Sequence, residues 1–414
     1  MNAIYLDNNA TTPLDPRVAE RMMAAWQASY ANSASQHQAG RRARQTVEAA
    51  RESIARILGG NVDSLAPDRL IFTSGGTEAN NLALRGLRSF ANGSSHATDP
   101  SSETTAGQLI VSSLEHPSIA QAADWLASQG ETVRRVRALS SGLIDLRHLA
   151  ELLETPTRLV SIMAANNETG VIQPLAEIAR LCSAAGVPLH TDAVQVVGKL
   201  PFDFHAQPLA AATFAAHKFH GPRGIGALLL DADVALNPTL FGGFQQDGLR
   251  PGTESVELIV GMQAALEVWH AEASERRERL TRLRDLLEQR LTSQFPDLFV
   301  IGRDSPRLPH TSNVALPGVD RQAAVIALDL AGVACSTGSA CASGSSEPSP
   351  VLLAMGLPQP IVDGAIRFSL GAFHTESEVQ AASDRIIKIF NELRRQSESR
   401  KSTPSSRQRA AKTL

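Results

Sequence analysis

From about residue 70 to 230 the chain alternates short apolar, β-branched runs with stretches of helical period. The runs are "RLIFTS", "QLIVSSLEH", "RLVSIMAAN", "VPLHTDA", "AATFAAHK" and "IGALLLD". This alternation predicts a largely parallel sheet covered by helices. Ligands of such sheets sit beyond the carboxyl ends of the strands, so the residues just after each run are the candidates for chemistry. They are polar: Ser74-Gly75-Gly76-Thr77, Glu115-His116, Asn166-Asn167-Glu168, Asp192-Ala193-Val194-Gln195 and His217-Lys218.

Near residue 254 the pattern becomes one long charged helix, "ESVELIVGMQAALEVWHAEASERRERLTRLRDLLEQRL", leading into a second, α+β unit. That unit would hold the strand-like "HTSNVALPG", the small-residue stretch "CSTGSACASGSSEPSP" and "AIRFSLGAF", and would close on a helix over about residues 376 to 394. Residues 91 to 108 and the chain from Ser397 onward have the composition of disordered segments. The expected division is a large unit over 14–256, a smaller one formed by 1–13 with 257–395, and a basic tail over 396–414. Such a tail suits an acidic partner or simply a solvated end.

Composition narrows the class. The 414 residues are 43% hydrophobic and 20% charged, as in an ordinary globular protein, and a net charge of -3 gives no electrostatic footprint for nucleic acid. The N-terminus lacks a basic segment followed by an apolar run, and no stretch of about 18 apolar residues occurs, so neither an export signal nor a membrane span is expected. Three cysteines, Cys182, Cys335 and Cys341, make no disulfide framework and suit the cytoplasm. The gap between Cys335 and Cys341 is not that of a zinc pair, and no metal site is expected.

Three motifs raise the question of a cofactor. "TSGGTEANN" ends a strand and opens a helix: Gly75 and Gly76 let the backbone approach closely, and Thr77 and the first-turn amides would cradle a phosphate. Alone, a Gly-Gly-Thr turn is an ordinary helix start. Asp192 in "HTDAVQ" ends a strand, as a turn-capping aspartate also does. Lys218 in "FAAHKFHGPRGIGALLL" ends another, where a lysine is costly to bury and useful if buried. Phosphate cradle, aspartate and lysine in this order meet the needs of pyridoxal phosphate: lysine for the Schiff base, carboxylate for the pyridinium nitrogen, cradle for the phosphate.

The sequence resembles the cysteine desulfurases of the NifS/IscS group, in the class V aminotransferase branch of fold-type I enzymes. The resemblance runs from "YLDNNATTPLDPRV" to "RFSLGAFHTESEV" through "TSGGTEANNLA", "NNETGVIQP", "HTDAVQVVGKLP", "HKFHGPRGIGAL", "PGTESVELIVGM", "STGSACASGSSEPS" and "IRFSLG". It implies a large domain with a mainly parallel seven-stranded sheet plus a smaller α+β domain. By position, it also implies that Lys218 is the Schiff-base lysine, Asp192 pairs with the pyridinium nitrogen, His116 stacks on the ring and Gln195 bonds the ring's phenolic oxygen. Gly76, Thr77 and His217 would hold the phosphate, with Thr253 reaching over from the second subunit of a homodimer. Asn167, also counted among the cofactor contacts, and Arg367 would receive the substrate carboxylate, a task that suits a planar guanidinium. Cys341 would take the sulfur of L-cysteine as a persulfide, leaving L-alanine, for delivery to an acceptor or iron–sulfur scaffold protein in cluster assembly or in thiolation of cofactors or tRNA. Cys335, after "AGVA", and Cys182, on a helical pattern, suit packing instead.

Two positions depart from the family's pattern. Ala215 stands where relatives carry a phosphate-binding serine, and Ser33 where they commonly carry proline. The alternatives to desulfuration are an aminotransferase, a selenocysteine lyase, or a non-catalytic interaction protein. Transamination has no use for Cys341, and an interaction protein has none for the full cofactor set.

Overall fold

The computed structural model describes residues 3–87, 107–338 and 347–402. In chain order, strand β1 (Ile4–Tyr5) and helices α1 (Pro16–Gln27) and α2 (Gln38–Ile57) lead into β2 (Arg69–Thr73) and α3 (Gly76–Gly86). Then come β3 (Gln108–Ser112), α4 (Pro117–Ser128), β4 (Val133–Val136), α5 (Leu146–Leu153), β5 (Thr157–Ser161), α6 (Leu175–Ala184), β6 (Leu189–Asp192), β7 (Ala211–Ala215) and β8 (Gly226–Leu230). The long α7 (Val256–Gln294) is followed by β9 (Phe299–Val300), β10 (Thr311–Ala315), α8 (Arg321–Leu330), β11 (Val333–Ala334), α9 (Pro350–Ala354), α10 (Gln359–Asp363), β12 (Ala365–Ser369) and α11 (Glu376–Ser402).

All six apolar runs form strands of one seven-stranded sheet, ordered β2-β8-β7-β6-β5-β3-β4. Strand β8 runs antiparallel to β2 and β7, and the other pairings are parallel. Every residue of β3, β7 and β8 is buried, as expected of strands covered on both faces. The seventh strand, β4, has no apolar run because it lies at the edge, where Arg134 and Arg135 face solvent.

A second, three-stranded sheet, β12-β10-β9, is antiparallel, and β1 pairs with β11. Its core gathers Ile4 and Leu6 from the N-terminus with Leu283, Leu287, Val314, Phe368 and Phe390. Helix α7 serves both units: Val256, Ile259, Met262 and Trp269 pack in the large sheet's core, and Leu280 to Leu291 in the small one. The closing helix extends beyond its expected end near 394, so residues 397–402, expected to be disordered, are helical. The rest of that tail and all but the end of 91–108 lie outside the described residues; Gln108 itself opens β3 and is buried.

Candidate active site

Gly76, Thr77, Asp192, His217 and Lys218 stand at the carboxyl ends of β2, β6 and β7. Strand β2 ends at Thr73 and the chain turns at Gly75 into α3, whose first-turn amides have no intrahelical acceptor. The turn lies so close to β8 that a Cβ on Gly226 would come 2.5 Å from the Gly75 carbonyl carbon. A Cβ on Gly76 would come 3.1 Å from Val194 and 3.7 Å from the Ala215 side chain, so the turn is a cradle that glycine keeps open. Thr77 stands exposed at its rim.

Lys218 sits in a 3-10 turn, Ala216–Lys218, directly after β7. Its Nζ donates to the carbonyls of Asn9 at 2.5 Å and Ala10 at 2.9 Å. The N-terminal segment is itself fastened there, since the Thr12 amide and hydroxyl both donate to the His217 carbonyl. Burial, and then Lys218, Lys199 and Arg223, push the His217 imidazole down to about 4, so it is neutral near pH 7.

Asp192 ends β6 and is buried. One carboxylate oxygen accepts from the Val194 amide at 3.0 Å and the other from Asn80 Nδ2 at 2.7 Å. Asn80 also donates to Ser118 Oγ, which lies 2.8 Å from His116 Nδ1. His116 caps α4 by accepting the Ser118 amide at Nδ1, which places a neutral ring's proton on Nε2. Burial lowers its pKa and Lys218 adds to that, while Asp192 opposes it. Beside it Glu115 is fully buried, pushed up to about 8 by desolvation against hydrogen bonds from Ser112 and the Met163 amide. An open groove of about 550 Å³ runs from Thr77 and His116 to Arg85 and Trp125.

Arg367, on β12, is 1% exposed. Its Nη1 donates to the carbonyls of Asn167 at 2.9 Å and Gly338 at 3.2 Å and Nη2 to Asp7 at 2.6 Å, and Nε has no partner among the described residues. Gln195 is buried, donating to the Asn9 carbonyl and accepting from Lys199 Nζ. Thr253 is exposed just ahead of α7, and no hydrogen bond among the described residues joins it to this cluster. Cys341 lies outside the described residues. Cys335 packs against the second core, and burial pushes its thiol up to about 12. Cys182 is buried on α6, its thiol likewise up to about 12.

At the two unusual positions, Ala215 is buried and brings no donor to the cradle, whereas Ser33 donates to Glu254 at 2.9 Å. Several participants were not singled out from the sequence. Asn9 receives Lys218 and Gln195 at its carbonyl, donates to the Asn167 carbonyl and Thr311, and meets His310 Nε2 at 2.8 Å. Asn80 and Asp7 hold Asp192 and Arg367. The one legible signal for Asp7 and Asn9 is the polar run "DNNATT" directly after the apolar "IYL".

Among the described residues, Asp68, His205 and Asp231 place ligand atoms within 4.8 Å of one another. They lie at the opposite end of the sheet: Asp68 precedes β2 and Asp231 follows β8. No described helix is long and apolar enough to cross a membrane.

The aminotransferase class-V family model matches residues 4–382. A cysteine desulfurase of Nostoc sp. is 40% identical over 395 residues, covering 95% of this chain and 93% of that protein. The cysteine desulfurase NifS of Azotobacter vinelandii is 36% identical over 394 residues, covering 95% and 94%. The crystal structure of a NifS-like protein from Rickettsia africae superposes with a TM-score of 0.83 at 31% identity, covering 94% of this chain and all of that one. The fold is therefore that of fold-type I enzymes. With sequence and fold agreeing over nearly the whole length, this chain belongs to the aminotransferase class-V family, among its cysteine desulfurases.

Proposed function

We propose that the protein is a pyridoxal-phosphate-dependent cysteine desulfurase that converts L-cysteine to L-alanine and collects the sulfur on Cys341. The donor set fits the cofactor: a two-glycine cradle at a helix N-terminus, a buried carboxylate, and a lysine held at a strand end. Bound there, pyridoxal phosphate supplies an electron sink for chemistry at the amino acid's α-carbon. Gly76, Thr77 and His217 would hold its phosphate, Asp192 its ring nitrogen and Gln195 its ring oxygen, with His116 beside its ring. Lys218 Nζ is the proton carrier, kept in place by the Asn9 and Ala10 carbonyls. Asn167 and Arg367 receive the substrate carboxylate.

Arg367 carries the reading. Its guanidinium reaches the Gly338 carbonyl, three residues before Cys341, and its Nε has no partner among the described residues. The carboxylate-binding group is thus tied to the stem of the cysteine-bearing stretch. The carbon–sulfur bond of cysteine breaks and a sulfur–sulfur bond forms on the Cys341 thiol, so that cysteine plus thiol yields alanine plus persulfide with no outside oxidant. A polar small-residue segment suits that thiol, whereas Cys335 at about 12 is a poor thiolate.

A homodimer with Thr253 donated across the interface fits the exposed Phe241 and Phe244 beside that segment, 89% and 95% accessible. We assign the protein to the cytoplasm, delivering sulfur to an acceptor or iron–sulfur scaffold protein or to thiolated cofactors or tRNA. The test is to incubate cofactor-loaded protein with L-cysteine and measure alanine and protein-bound persulfide. Cys341→Ser should keep the visible cofactor band and lose both products, while Cys335→Ser keeps turnover. The reverse result would move the nucleophile to Cys335, and full activity in both would end the desulfurase reading.

A further inference from the structure

One buried lysine has no part in the reaction just described. Lys199 is 8% exposed, and its Nζ donates to Gln195 Oε1 at 2.8 Å. The charged and titratable groups that act on it, or on which it acts, are Lys218, Arg367, His217, His220 and His310, with no carboxylate among them. A lysine so placed is expensive: it could reach solvent or be replaced by a methionine of similar length at less cost.

Its geometry gives it a use. Lys199 and Gln195 share one tight turn, in which the amide of Lys199 donates to Val196 and the amides of Val196 and Val197 to Ala193. The turn cannot slide, because Gly198, at φ +77°, lies so near the Lys218 turn that a Cβ would come 2.1 Å from the Phe219 Cβ. The two ends of a glutamine amide are nearly identical in shape, so only their partners decide which points where. Here Oε1 faces the Lys199 donor, and Nε2 faces the Asn9 carbonyl at 3.2 Å, the same oxygen that holds Lys218 Nζ. A flipped amide would set two oxygens face to face at Asn9.

We propose that Lys199 is a positioning residue that fixes the Gln195 side-chain amide with its NH2 group toward Lys218 and the cofactor's ring oxygen. Burial and the neighbouring Lys218 and Arg367 push Lys199 well below the usual lysine range. The proposal rests on the cofactor reading above, in which Gln195 meets the ring oxygen.

The experiment is a two-residue cycle on the full-length, cofactor-loaded protein, reading the pH midpoint of its visible band and the rate of cofactor loss on dialysis. Lys199→Met should move the midpoint by about half a pH unit or more, as expected for losing one oriented hydrogen bond, and hasten cofactor loss several-fold. Gln195→Ala should do the same, and the double variant should be no worse than Gln195→Ala alone. An unmoved midpoint in Lys199→Met overturns the proposal. So does a shift that persists in full on the Gln195→Ala background, which would make Lys199 a direct electrostatic contributor. If Lys199→Met does not fold, Lys199→Gln, one bond shorter, goes through the same cycle. A wild-type chain with no visible band after loading would instead strike the cofactor reading itself.

Discussion

The two ends of the seven-stranded sheet each hold a buried acid near a histidine, exposed at the far end and half-buried beside Asp192, and they treat the acid in opposite ways. At the far end Asp68 is saturated: one oxygen accepts the Ala232 amide, and the other accepts the Asn61 amide and lies 2.7 Å from His205 Nε2. At the end bearing Lys218, buried polar atoms have no partner among the described residues, among them Asn8 Oδ1, Glu115 Oε2, His310 Nδ1 and Arg367 Nε. Buried polar groups are normally satisfied, because leaving one unpaired costs about 1–3 kcal/mol. A clasp that only ties loops to strands has no reason to bear that cost. A site that receives a ligand, as proposed above, does.

Three substitutions probe the contrast. The largest effect is expected from Lys218→Ala, which should lower alanine production by about 10²–10⁴-fold, the range of a lost proton carrier, and abolish the lysine adduct that borohydride fixes. Reduction that labels Lys199 instead would place the reactive amine in the neighbouring Ala193–Leu200 turn. Asp68→Ala should act in the other sense, stranding the Asn61 and Ala232 amides at about 2–4 kcal/mol by denaturant titration while leaving kcat unchanged. A lost kcat without lost stability would show that the far end is not merely structural. The smallest effect belongs to Ala215→Ser, which adds a hydroxyl facing the Gly76 cradle. Cofactor loss on dialysis should slow by about two- to tenfold, one neutral hydrogen bond's worth, and an unchanged rate would mean that other donors already fill the cradle.

Much of this site was legible because its parts follow strands. Asp192 and Lys218 stand immediately after apolar runs, and Gly75 and Gly76 where a strand gives way to a helix, so periodicity alone marks the places where a parallel sheet presents ligands. Strand β4 escaped because an edge strand with exposed Arg134 and Arg135 carries no apolar run. Asn80 escaped because it sits inside a helical pattern, and its bond to Asp192 depends on how α3 packs on β7 and β8 beside the end of β6. Lys199 reads as any other surface lysine until the Ala193–Leu200 turn is seen pressed against Phe219.

The sequence by itself determined the alternation of strands and helices, the strand-end acid and lysine, the glycine turn and the small-residue setting of Cys341, since each is a local consequence of pattern and residue chemistry. Only the tertiary structure decided that Asn8 reaches Ser369, 361 positions away, that Asp7 balances Arg367, and that Asn9 offers one carbonyl to both Lys218 and Gln195. Those contacts join the first residues of the chain to the large sheet and to the small antiparallel one. Polar side chains at such separations have no periodicity to announce them. They are paired by the packing of two cores around α7, which brings their backbones within hydrogen-bond reach.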